Sequence, residues 1–194
     1  MSEDDNQVPS ALVAVGTKAL FVRSTTLVKR GLALAESIQP DYARAHFNLG
    51  LALYEKRDWD RAIAEYREAL RLNPNFAAAH ISLGYTLVKK GDLDGAIAEF
   101  GEFKRLEPNN DWAHRQFGRA LGQKGDWDGA IAEFREALRL HPNRGWAHFN
   151  LGVALERTHN PQEALQEYRA AYKLNPQDPD YRQAYERLLK ETRQ

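Results

Sequence analysis

Four histidines, His46, His80, His114 and His148, recur at one constant interval. Imidazole nitrogen is the commonest side-chain metal ligand, so four in register invite a metal centre. The chain has no cysteine, which removes thiolate nucleophiles, thiolate metal sites and disulfides together. The ligand chemistry left is imidazole and carboxylate. Carboxylates also come in pairs, Glu65 with Glu68 and Glu133 with Glu136, beside Arg67, Arg71, Arg135 and Arg139. The run "GRALGQKGDWDG", residues 118 to 129, is rich enough in glycine to suggest a phosphate loop, but no G-K-[ST] follows at the required spacing and no strand pattern precedes it.

The spacing that aligns the histidines runs through the whole chain. "GDLDGAIAEF" at 91 to 100 returns as "GDWDGAIAEF" at 125 to 134, and prolines fall at 40, 74, 108, 142 and 176. This is a repeat with a 34-residue period. Counted from each proline, His comes six residues on, and an apolar-Gly pair follows at nine and ten: Leu49-Gly50, Leu83-Gly84, Phe117-Gly118 and Leu151-Gly152. Ala62, Ala96, Ala130 and Ala164 come next, each followed four residues later by Tyr66, Phe100, Phe134 or Tyr168. That periodicity is helical. Each unit reads as a helix A and an antiparallel helix B. Asp41, Asn75, Asn109 and Asn143 are start signals for helix A, and "KKGDLD" or "QKGDWD" supplies a glycine stop and acidic residues for the next N-terminus. Trp59, Leu93 and Trp127 share one slot beside the hairpin turn and read as packing residues. One hairpin cannot bury such a face alone, so the units must stack.

These residues resemble the tetratricopeptide repeat over positions 40 to 176. The resemblance implies an all-α fold, a right-handed α-solenoid of antiparallel helix hairpins with a C-terminal capping helix. The expected organisation is a flexible acidic tail at 1–8, a degenerate hairpin at 9–39, four repeats at 40–73, 74–107, 108–141 and 142–175, and the capping helix at 176–194. In that last helix Tyr181, Tyr185, Leu188 and Leu189 form an apolar stripe, with Arg182, Glu186, Arg187 and Lys190 facing away. The chain departs from the family pattern where His and Leu replace common aromatics. Arg57 and His159 replace the turn glycine, which suggests turns built differently, with Asn160 taking the strain. Phe103 replaces a small residue, which points to altered local packing or to a contact on the convex face.

Stacked hairpins rule against a shared metal. Ligands to one zinc lie about 2 Å from it, whereas helices of adjacent hairpins pack about 10 Å apart. The histidines therefore read as packing residues and no cofactor is expected. The carboxylate pairs read as a solvated, ion-paired helix face. No nucleophile stands at a definable spacing from a base, so the chain is not expected to be an enzyme. Lys plus Arg and Asp plus Glu are both 27, giving no global field to recruit nucleic acid. "MSEDDNQVPS" is acidic where a secretory signal is basic, and "ALVAVGTKALFV" is too short to span a bilayer, so the expectation is a cytoplasmic chain without membrane insertion.

The resemblance further implies a concave groove lined by helix A residues outside the core. Projected onto this sequence they are Arg44, Phe47, Leu51 and Tyr54; Ile81, Tyr85, Val88 and Lys89; Trp112, Arg115 and Arg119, with Gly122 leaving room; and Trp146, Phe149, Val153 and Arg157. The implied function is protein–protein interaction: a peptide or protein segment with apolar anchors toward Phe47 to Val88. An acidic group would lie at Arg115 and Arg119, unless these pair with Glu156 or Glu102 inside the stack. The family's binders of chaperone tails use Lys, Asn and Arg in slots filled here by Phe47, Leu51, Ser82, Trp112 and Gln116, so that ligand is not expected. A self-associating scaffold and a regulatory part of an enzyme complex are the alternatives.

Overall fold

Alternating apolar positions at helical spacing, broken by short turns, fold into nine α-helices over the residues described by this computed structural model, 42–193. The expected tail at 1–8, the hairpin at 9–39, Pro40 and the start signal Asp41 lie outside the described residues. No strand occurs among those described, and no helix among them is long and apolar enough to cross a membrane. The helices form two compact units divided after Leu106. The N-terminal unit contains α1 (Tyr42–Glu55), α2 (Trp59–Leu72), α3 (Ala77–Lys90) and α4 (Leu93–Leu106). The C-terminal unit contains α5 (Asp111–Lys124), α6 (Trp127–Leu140), α7 (Gly145–Arg157), α8 (Pro161–Leu174) and α9 (Pro179–Glu191). Within each unit every helix packs on the next, as short antiparallel connections require.

The turn chemistry follows the sequence closely inside each hairpin. Gly91 and Gly125 end α3 and α5 in the left-handed region, at φ of 82° and 93°. Asp92 and Asp126 then cap the next helix through Oδ1, accepting at 2.9 Å from the Gly95 and Gly129 amides. Two expectations are corrected. Arg57 and His159 themselves take the left-handed conformation, at φ of 59° and 61°. Asn160 stays at φ −113° and donates instead to the Thr158 carbonyl. The backbone path of the hairpin is thus the same whether glycine is present or not, and the side chain bears a strain of about 1 kcal/mol. At the starts of α3, α5 and α7 the capping positions are Phe76, Asn110 and Arg144, one residue later than Asn75, Asn109 and Asn143.

Helices A and B meet where glycine faces an aromatic ring. A methyl group at Gly50, Gly84, Gly118 or Gly152 would lie 2.5 to 2.8 Å from the ring of Tyr66, Phe100, Phe134 or Tyr168. Those rings are buried, and each contributes about 1.5–3 kcal/mol by leaving water. Ala62, Ala96, Ala130 and Ala164, fully buried, keep helix B equally close. Phe103 is buried in the N-terminal unit at 2% exposure, so altered packing is the outcome there and no convex-face contact is on offer. In the C-terminal unit Leu151, Leu155, Tyr168 and Leu188 join one core, against which Trp127, Phe149 and Tyr185 pack.

Two substitutions separate steric from conformational cost. Gly152→Ala should destabilise by about 1–3 kcal/mol and alter the near-ultraviolet dichroism of Tyr168. Gly125→Ala, with nothing within 4 Å of the added methyl, should cost about 1 kcal/mol through its φ alone and leave that spectrum unchanged. Guanidinium denaturation with dichroism reads both.

Candidate functional site

The projected groove residues divide by unit. On α1, Arg44 is exposed and Leu51 and Tyr54 are half-buried. The Tyr54 ring packs 4.8 Å from Trp59; burial and, secondarily, the Glu55 charge push its phenol up. On α3, Tyr85 stands edge-on to Phe100 at 5.5 Å, Val88 is half-buried and Lys89 is exposed. Phe47 and Ile81 are corrections to the projection. Phe47 is 1% exposed and wedged between Tyr66 and Phe76, with centroids at 5.9 and 4.9 Å, and Ile81 is 7% exposed. Both lie three residues before the glycine, and Phe149, at the same register position on α7, is half-buried. Gly122 leaves no room either: a methyl there would meet the Trp127 ring at 3.0 Å.

In the C-terminal unit none of the projected side chains is buried. Trp146, Phe149, Val153 and Arg157 recur at helical spacing along α7, with Trp112, Arg115 and Arg119 half-buried on α5. Two arginines stack on tryptophans. The Arg115 guanidinium lies 5.0 Å over Trp146, and that of Arg157 lies 5.4 Å over Trp127. Stacking occupies the flat face of a guanidinium while its N–H edge keeps the geometry for a carboxylate.

Between α7 and α9 lies an open cleft of about 520 Å³, with Phe149, Val153 and Ala184 as apolar lining and Glu156, Arg157, Asp180 and Arg187 as its charged groups. Phe149 is fixed there by Tyr168 and Tyr181, at 5.7 and 5.1 Å. Glu156 is held twice: the Tyr168 hydroxyl donates to it at 2.5 Å and Arg187 Nη2 at 2.7 Å. Burial by itself would push the Glu156 carboxyl up. The hydrogen bonds from Arg187 and Tyr168, with the charges of Arg187 and Arg157, outweigh burial and hold it below the usual carboxylate range. Burial and the Glu156 carboxylate push the Tyr168 phenol up. Sequence reasoning places Arg187 facing away from the stack and so misses it as part of this cleft. Its long stem lets the head return across α9 to Glu156.

The histidines also have partners that the sequence reading assigns elsewhere. His46, His80, His114 and His148 each place Nδ1 2.6 to 2.7 Å from a carboxylate on the following helix, at one fixed interval along the chain: Glu65, Glu99, Glu133 and Glu167. Glu65 and Glu133 therefore do not belong to the solvated ion-paired face, whereas Glu68 and Glu136 do, bonding Arg71 and Arg139 at 2.7 Å. The fixed His–Glu interval was the available signal. Among the described residues no group of three or more His, Cys, Asp or Glu is placed to hold a metal ion.

The tetratricopeptide repeat family model matches residues 25–75, 47–111 and 115–179. Among solved structures, the chain is similar to YrrB, a TPR protein with an unusual peptide-binding site, at 23% identity and a TM-score of 0.74, covering 91% of this chain and 86% of that one. It is similar to MamA at 22% identity and a TM-score of 0.69, covering 74% and 84%. It is likewise similar to MamA 41-end from Desulfovibrio magneticus RS-1, at 20% identity and a TM-score of 0.73, covering 79% and 86%. At these identities the likeness is one of fold. A comparison with curated proteins gives no match.

The double hold on Glu156 makes an asymmetric prediction. Glu156→Ala strands the buried Tyr168 hydroxyl and should cost about 1–3 kcal/mol. Arg187→Ala leaves that hydroxyl bonded and removes a pair whose arginine is 45% exposed, so it should cost under about 1 kcal/mol. Urea midpoints of the two full-length variants test the order.

Proposed function

This chain belongs to the tetratricopeptide repeat family, and from that premise we propose that it is a non-catalytic interaction module which binds a peptide or protein segment on the helix A side of its C-terminal unit. The observation that carries the reading is the cleft of about 520 Å³ between α7 and α9. Its lining combines aromatic and aliphatic surface with charged groups, a composition suited to anchoring one side chain of a ligand and orienting the next. Phe149 is rigid between two tyrosine rings, so little side-chain entropy is lost when a ligand covers it. Apolar anchors of the ligand lie against Phe149 and Val153. An acidic side chain or terminal carboxylate engages Arg157, already flattened on Trp127. The fold likeness to YrrB, a TPR protein with a peptide-binding site, supports this choice of ligand class.

The test is peptide display against the full chain, with affinities of the selected peptides then measured by fluorescence anisotropy. Selected sequences should share an apolar residue near an acidic one. Val153→Asp and Arg157→Glu should each weaken binding at least about tenfold, equivalent to about 1.4 kcal/mol, with helicity unchanged. Equal affinity for both variants and the parent would remove this cleft as the binding site. A mass that rises with concentration in light scattering would favour self-association.

A further inference from the structure

Among the described residues, His80, His114 and His148 are held at both ring nitrogens. Nδ1 of His80, His114 and His148 lies 2.6, 2.7 and 2.6 Å from Glu99, Glu133 and Glu167. Nε2 lies 3.0, 3.0 and 2.9 Å from the carbonyl oxygens of Pro74, Pro108 and Pro142. A backbone carbonyl and an ionised carboxylate can only accept. A neutral imidazole carries one N–H and one lone pair, so in that state one nitrogen turns a lone pair toward an oxygen. Only the imidazolium ion offers two donors and satisfies both contacts.

The fifth position of the register gives an independent sign. Arg182 follows His148 by one further repeat period, and its Nη2 donates to the Pro176 carbonyl at 2.9 Å. The same proline carbonyl is thus reached, at the same six-residue interval, by a side chain that is cationic at every accessible pH.

We propose that His80, His114 and His148 are imidazolium clamps that make each hairpin proton-sensitive: protonation ties helix A to helix B and to the turn before helix A, and loss of the proton loosens all three. Each clamp joins distinct pieces of chain. His80 connects α3, α4 and the turn after α2; His114 connects α5, α6 and the turn before α5; His148 connects α7, α8 and the turn after α6. The charges acting on His80 and His148 are negative. His80 faces Glu99 and, farther off, Glu102. His114 faces Glu133 and acts on Glu136, and His148 faces Glu167. Burial by itself would push the His80 imidazole down, but Glu99, the Pro74 carbonyl and Glu102 outweigh it and raise it. For His148 the Glu167 hydrogen bond is the leading cause of the rise.

The sign follows from linkage. A histidine raised in the folded state contributes its full stabilisation below the unfolded value of about 6.5, and loses it as pH rises through the folded value. Each unit of rise multiplies the unfolding constant by about ten once the clamp has lost its proton. The proline contact places that loss at the turn that leads into each helix A, where it would loosen the entry of the chain into the hairpin.

The test is ring-nitrogen NMR of the full chain from about pH 5.5 to 9, with urea midpoints over the same range. His80 and His148 should show two protonated ring nitrogens at about pH 6 and titrate above about 6.5, and the midpoint should fall as pH rises through that titration. Glu99→Gln, which keeps the shape of the partner and removes its charge, should lower the His80 titration and flatten the midpoint curve. A single neutral tautomer at about pH 6, or titration at or below about 6.5, would overturn the proposal. Should the variant fail to fold, the parent spectra decide alone.

Discussion

The closeness of helix A to helix B governs the rest of this structure. At Gly50, Gly84, Gly118 and Gly152 the ring of the facing aromatic occupies the space where any other side chain would begin. Because the approach is fixed at one point per hairpin, the residues around it are sorted. The residue one turn before the aromatic on helix B is alanine in each hairpin, and the histidine one turn before the glycine is brought against the glutamate just ahead of the aromatic. The clamps are thus a consequence of the glycine contact. They add direction to a contact that dispersion and burial alone would leave free to rotate.

The same constraint decides which helix A residues can meet a ligand. Side chains on the glycine side are spent on packing, and at the slot three residues before the glycine Phe47 and Ile81 are buried whereas Phe149 stays half-buried. What remains is a narrow stripe. On α7 it carries Trp146, Phe149, Val153 and Arg157, and α9 completes a cleft beside it with Ala184, Gln183 and Arg187. Two charged residues there are stabilised differently. Glu156 is locked by Tyr168 and Arg187 and belongs to the frame, whereas Arg157 is exposed at the surface and rests on Trp127 by its flat face. Frame and proposed ligand contact therefore share a helical turn, and a substitution study that treats them alike would confuse loss of binding with loss of structure.

The fold was legible because its signals are redundant: the proline period, the Leu-Gly pair and the aromatic sixteen residues after the glycine all state the same register. Even Arg57 and His159, which lack the expected glycine, follow the path that Gly91 and Gly125 set, since the flanking packing outweighs about 1 kcal/mol of backbone strain. The site was less legible, for a physical reason. Phe47 and Phe149 hold the same register position, and whether that slot is closed depends on what packs over it, as Phe76 does over Phe47, which periodicity does not report. Arg187 escapes notice because a long side chain can return across its own helix, and the alternation of polar and apolar residues reports only where the stem begins. The constant His–Glu interval was present in the sequence throughout, but pairs within a helix are sought three or four positions apart, and a contact between two helices has no such rule.

Binding through the α7–α9 cleft is decided by a crystal structure of the full chain with a selected peptide. The expected complex has an apolar side chain of the peptide against Phe149 and Val153, an acidic group within hydrogen-bonding distance of Arg157, and the Glu156–Arg187 pair intact. A peptide seated elsewhere, with the cleft open to solvent, would contradict it.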